Sequence, residues 1–173
     1  MAAWSGARST TRASIVLAAM SLAATCLVAG ASGAGATSSG AAWPGGHRVF
    51  VSPDGHPGAA GTREDPLASV RDAVAVLDGP GTVLLRGGTY AQRIVLRHAD
   101  GVTVRPFRGE RVILDGGTLT PPAGRSAMVT IVDSSHVAVR GLDIRGYRTT
   151  STQAMPIGIY VHGASSHVSL AGN

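Results

Sequence analysis

Three segments of the chain read as one strand written three times: GVTVRP at 101–106, HVAVRG at 136–141 and HVSLAG at 167–172. Each follows another β-rich run: RIVLR (93–97), VTIVD (129–133) and GIYVH (158–162). The first two are followed by a third run, VILDG (112–116) and LDIRG (142–146). The unit is strand, turn, strand, turn, strand, then a variable loop, and corresponding strands recur roughly 30 to 35 residues apart, a period typical of solenoids. Three short strands and no helix per period fit a parallel β-helix, in which each coil stacks on its neighbour. A β-sandwich is the runner-up, but it does not predict the repeated series.

Side chains alternate faces along a strand, so each run has one inward set. Ile94 and Leu96, Val129 and Ile131, and Ile159 and Val161 form the first stacked column set. Val102 and Val104, Val137 and Val139, and Val168 and Leu170 form the second; Val112 and Leu114, with Leu142 and Ile144, form the third. In this register Asp115 stacks against Arg145 as a surface ion pair, about 4.8 Å away across the strands. Helical spacing occurs once, in Leu67, Val70, Val74 and Leu77. Asp65 is the expected N-cap, Pro66 suits the first turn, and Gly79-Pro80-Gly81 ends the helix. Lying across the open first coil, such a helix would hide an apolar end, as terminal caps of solenoids do.

Composition agrees. The chain has 173 residues, 24 of them Gly, with 14% charged and 4% aromatic residues, which argues against a helical bundle. Its 44% hydrophobic content argues against disorder. A single cysteine excludes an intramolecular disulfide and a multi-Cys zinc site. All 15 basic residues are Arg, so no Lys-based mechanism is open within this chain.

Arg8 and Arg12 precede an apolar stretch from Ile15 to Ala31, and Ala34-Gly35-Ala36 follows as an A-x-A pattern. That is the build of a secretory signal peptide over 1–36, with an earlier cut at Ala29-Gly30-Ala31 as the alternative. Cys26 lies inside the stretch without the context of a lipidation site. Part of the formal charge of +5 leaves with the two arginines. Residues 37–46 read as a flexible leader, 47–90 as an N-terminal cap and first coil, and 91–173 as coils truncated at the C-terminus. The expected location is secreted, extracellular, and off the membrane after signal cleavage; the expected state is a monomer.

The stretch FVSPDGHPGAAGTREDPLASVRDAVAVLDGPGTVLLRGGTY (50–90) resembles the N-terminal cap and first coil of secreted bacterial parallel β-helix proteins of the pectate-lyase-like superfamily. The later ILDG, GLDI, GIYV and HVSL signatures resemble the same proteins. The resemblance implies an all-β fold, a right-handed parallel β-helix of three-strand coils with a short N-terminal capping helix. It implies chemistry on acidic polysaccharides, by lyases, hydrolases or epimerases. The lyases use a Lys or Arg base and acidic calcium ligands that generally lie further along than residue 173, so no catalytic residue transfers. The expected function is a carbohydrate-active protein, a polysaccharide lyase acting on pectate-like acidic polysaccharide, or its N-terminal fragment. A non-catalytic scaffold or glycan-binding protein is the alternative.

Lyase chemistry on a uronate needs a cation to offset the carboxylate, a base near the C5 proton and a route for the leaving oxygen. The outward residues of the first strand set are Arg93, Val95 and Arg97, then Thr130, then Tyr160 and His162. Arg93, Arg97, Tyr160 and His162 are the substrate-binding candidates, because guanidinium suits bidentate carboxylate contacts. A solvated outer face is the plainer reading of each. Asp133 is the candidate ligand for Ca2+, the one cofactor raised; as a lone carboxylate it reads equally as an Asx turn with Ser134-Ser135. His136 and His167 recur after Ser-Ser at a strand start, which argues for a structural role. Arg105, Arg108 and Arg111 are the densest basic group, most simply a turn between coils, and no nucleic-acid partner is expected. The loop from Tyr147 to Pro156 is the longest polar excursion and suits a groove wall.

Overall fold

Alternation of branched apolar and polar residues builds strands that bury one face each, and here every strand pair is parallel. A computed structural model describes residues 46–173. Residues 1–36, read from the sequence as a signal peptide, and the expected leader except Gly46 lie outside the described residues. Eleven strands and one helix follow in order: β1 (His47–His56), α1 (Val70–Leu77), β2 (Gly81–Leu85), β3 (Gly88–Tyr90), β4 (Ile94–Arg97) and β5 (Val102–Pro106). Then come β6 (Val112–Asp115), β7 (Gly124–Val132), β8 (Ala138–Arg140), β9 (Leu142–Arg145), β10 (Ala154–His162) and β11 (Ser169–Ala171).

The strands form three sheets. The first has the order β4-β7-β10, the second β1-β2-β5-β8-β11 and the third β3-β6-β9. From β4 the chain visits first, second and third sheet in turn, then repeats with β7, β8 and β9, and begins again with β10 and β11. We call each such passage a circuit. Register follows the inward columns: Ile94 and Ile159 flank Val129, Val104 and Leu170 flank Val139, and Leu114 pairs with Ile144. Ile94, Leu96, Val104, Leu114, Val129, Ile131 and Val139 are fully buried. The architecture is thus all-β and parallel, with its core in the space the three sheets enclose.

The helix begins later than the sequence suggests. Ser69, not Asp65, is the N-cap: its hydroxyl accepts from Asp72 N–H at 3.1 Å and donates to the Asp72 carboxylate at 2.7 Å. Leu67 bridges instead to Val51 and His56, which holds it out of the helix. Asp65 is drawn away as well, accepting from Ala60 N–H at 2.8 Å and meeting His56 at 2.9 Å. Val70, Ala73 and Leu77 are buried, and the helix packs against β1, β2 and β4. Strand β3 carries no alternation long enough to predict it; it forms through pairing with β6. Its Tyr90 is buried, the hydroxyl donating to the carbonyls of Arg86 at 2.7 Å and Val51 at 3.1 Å, and burial pushes the phenol pKa up.

Candidate functional site

On the first sheet the inward columns leave two outward rows. Val95, Thr130 and Tyr160 share one row; Arg97, Val132 and His162 share the next. Tyr160 and His162 are two residues apart on one strand, so both rings project from one face, and they stack with centroids 4.5 Å apart at 23°. Arg97 is exposed at the other edge of the sheet, two strands away, about 10 Å across the backbone. Val132 between them is buried. The face therefore presents a phenol and an imidazole stacked on each other, and a guanidinium across from them. The outer ring faces and edges of the stack are left to meet a sugar ring, and the guanidinium offers a planar donor fork to a carboxylate.

Arg93 sits just ahead of β4 and is half-buried. Its Nε donates to the carbonyl of Ala127 at 2.8 Å, which ties it to β7. The four sugar-binding candidates thus divide: Arg97, Tyr160 and His162 lie on β-strands of one face, and Arg93 lies at its margin with one donor engaged.

Beyond β9 the loop from Tyr147 runs to Gln153; Ala154 to Pro156, read from the sequence as loop, belong to β10. The Tyr147 and Ser126 hydroxyls are 2.8 Å apart, which pins the loop root to β7. With the 117–121 segment the loop encloses a shallow cavity of about 370 Å³, lined by Thr118, Thr120, Arg148, Thr149 and Thr150 among others. Arg148, Thr149 and Thr150 belong to the loop the sequence singled out as a groove wall; Thr118 and Thr120 carried no signal there, and only the stacking of two loops 30 residues apart brings them together.

Asp133 closes β7 in the left-handed region, with φ 48°. Its Oδ1 accepts from Ala164 N–H at 3.0 Å, in the next circuit. That fixes the turn against its neighbour rather than closing an Asx turn on Ser134 and Ser135. Calcium takes six to eight oxygens. Among the described residues no group of three or more His, Cys, Asp or Glu side chains is placed to hold a metal. Asp133 by itself does not make a calcium site.

His136 and His167 both adopt positive φ, near 51° and 52°, and stack with centroids 4.6 Å apart at 13°. Asp100 Oδ1 lies 3.1 Å from His136 Nδ1 and accepts from the Ser135 hydroxyl. These bonds, Ser135 first and His136 second, hold the Asp100 carboxyl below its usual range. The cluster is a ladder of turns, in keeping with a structural role for the repeated histidines. On the third sheet Asp115 and Arg145 pair at 3.0 Å, in the expected register.

No protein-family model matches the chain, and no solved structure matches it. Two curated proteins are similar. The Bacillus subtilis (strain 168) protein described as "Uncharacterized protein YwoF" is 32% identical over 132 residues, covering 74% of this chain and 28% of that protein. "Pectate lyase PEL9" of Emericella nidulans is 31% identical over 126 residues, covering 69% of this chain and 31% of that protein. The chain spans less than a third of the length of either. Distant homology to a pectate lyase and a stack of parallel strands together fit a pectate-lyase-like β-helix.

Proposed function

We propose that the chain forms the coils of a right-handed parallel β-helix of a secreted protein that acts on acidic polysaccharide as a polysaccharide lyase. The observation that carries this is the likeness to pectate lyase PEL9 over 69% of the chain, joined to sheets visited in a fixed order. Secretion rests on the three-part build of residues 1–36. The outward face of β4, β7 and β10 supplies the sugar-binding surface. Arg97 meets a uronate carboxylate, and Tyr160 and His162 support an adjoining sugar ring. Arg93 adds positive potential at the margin while holding Ala127. A Lys base is excluded within this chain, and no step is routed through Asp133 or a metal.

The test follows both turnover and retention. Polygalacturonate or alginate, with calcium added, is incubated with the protein, and absorbance of the unsaturated product is recorded. The expected result is product formation, with Arg97→Gln weakening substrate affinity about tenfold, the worth of one charge-assisted contact. Retention of the glycan without product would support a glycan-binding scaffold instead. Neither product nor retention across a panel of acidic glycans overturns the proposal.

A further inference from the structure

The basic group at 105–111 lies where the second sheet turns into the third, away from the face just described. There β5, β8 and the ends of β6 and β9 border an open cavity of about 430 Å³. Arg105, Arg111 and Arg140 line it, with Glu110 and Asp143. The acids are engaged. Glu110 accepts from Arg86 Nε at 3.2 Å and from Gly87 N–H at 2.6 Å, and Asp143 meets Arg111 at 2.8 Å.

Arg105 and Arg140 fall at matching positions on neighbouring strands. Val104 pairs with Val139, so the next residues outward are neighbours on adjacent parallel strands, about 4.8 Å apart along the stack. Both are exposed. Among the described residues neither has a carboxylate partner; Arg105 reaches only the carbonyl of Pro106 at 3.4 Å. Like charges side by side on neighbouring strands destabilise a sheet. Arg86, Arg111 and Arg145 each meet an acid, whereas Arg105 and Arg140, like the outward Arg97, meet none among the described residues; what sets these two apart is that they are neighbours. Among the described residues no carboxylate pairs with either of these two, the cavity's own acids being engaged by Arg86 and Arg111, and the open cavity lies beside them.

We propose that this corner cavity binds an acidic sugar chain through a carboxylate held between Arg105 and Arg140, a second contact apart from the first sheet. The choice of an acidic glycan rests on the functional reading above. Two adjacent guanidinium forks match the two oxygens of a planar carboxylate. The engaged acids on the rim oppose a densely charged phosphate backbone. No aromatic ring lines the cavity to stack a base. The nearest ring, Phe107, is ringed by the guanidinium groups of Arg108, Arg63 and Arg86 at 5.1, 5.5 and 5.7 Å.

The experiment is calorimetric titration with an oligogalacturonate, its neutral methyl ester, inorganic sulfate and duplex DNA. The proteins compared are the unaltered chain, Arg105→Gln/Arg140→Gln, Arg105→Lys/Arg140→Lys and Arg97→Gln. Expected is oligogalacturonate binding that the double Gln variant weakens by about tenfold or more and the double Lys variant weakens less, because charge survives without the planar fork. The methyl ester should bind poorly. Thermal unfolding without ligand should be unchanged or raised in the double Gln variant, since a repulsion has been removed; this separates lost binding from lost fold. Full binding by the double Gln variant with loss in Arg97→Gln overturns the corner site and leaves the first-sheet reading intact. No oligogalacturonate binding by the unaltered chain overturns both. Sulfate or DNA binding as tightly as the oligogalacturonate overturns the assignment to a sugar carboxylate.

Discussion

Ser134 shows how much a single side chain carries in this stack. It is 2% exposed, and its hydroxyl donates to the Val132 carbonyl at 2.8 Å while accepting from Ala99 N–H at 3.1 Å. Its own N–H donates to the Ser165 hydroxyl at 3.3 Å, and Ser165 donates to the His162 carbonyl at 2.8 Å. Serines at matching turn positions thus satisfy buried backbone groups in successive circuits. Ser134→Ala strands the Ala99 amide in the interior, so it should cost about 1–3 kcal/mol, read from urea unfolding. Ser165→Ala, in the half-buried last turn, should cost less. The repeated Ser-Ser-His was visible in the sequence; its bonding was not. Asp133 is the same lesson: spacing suggested a local turn, yet its partner Ala164 lies in the following circuit. Gly163 faces that carboxylate so closely that a Cβ there would overlap it. Sequence displays neighbours along the chain, whereas these turns are bonded across the stack.

Among the elements, α1 is a helix that local sequence alone could not sustain. Eight residues are too few for a stable helix in water. Gln92, just ahead of β4, clamps its start: Oε1 accepts from Val70 N–H at 3.2 Å and Nε2 donates to the Ala68 carbonyl at 3.1 Å. At the other end Leu77 is 4% exposed and touches Gly81, where any Cβ would collide with it. The apolar spacing of Val70, Val74 and Leu77 was legible because a helix face repeats locally. The start was not, because Leu67 answers to β1 rather than to its own neighbours. Leu77→Ala should lower stability by about 2–5 kcal/mol, the usual range for emptying a filled core position. Val76→Ala, on the solvent side at 52% exposure, should stay within roughly 0.5 kcal/mol. Equal losses from the two would show that α1 does not cover the core.

At the scale of the whole molecule, the inward columns were readable because alternation is intrinsic to a strand, while the ties between circuits depend on charge pairs scattered along the sequence. Of the carboxylates that make such ties, Asp143 with Arg111 among them, three are held below their usual range. Asp115 accepts first from Gly117 N–H at 2.8 Å and next from Arg145; Glu110 accepts first from Gly87 N–H, then from Arg86; Asp100 accepts from Ser135 and His136. A carboxyl lowered in the folded state binds its proton more readily when unfolded. Its contribution is therefore fully present above the unfolded pKa, near 4, and disappears as pH falls through the lower folded value. Because Asp100 is exposed and Glu110 and Asp115 are half-exposed, salt screens them and each contributes little alone. Their arrangement along the stack still gives the sum a direction. In a solenoid each circuit is held by its neighbours, so loosening several inter-circuit ties acts on the same interfaces that bury the apolar columns. The urea midpoint should be flat between about pH 5 and 7 and fall below about pH 4. Asp115→Asn should lower the midpoint at neutral pH and make its fall on acidification shallower, with 0.5 M salt reducing the difference. A midpoint that rises on acidification, or an Asn variant with an unaltered slope, would show that these carboxylates do not hold the circuits together.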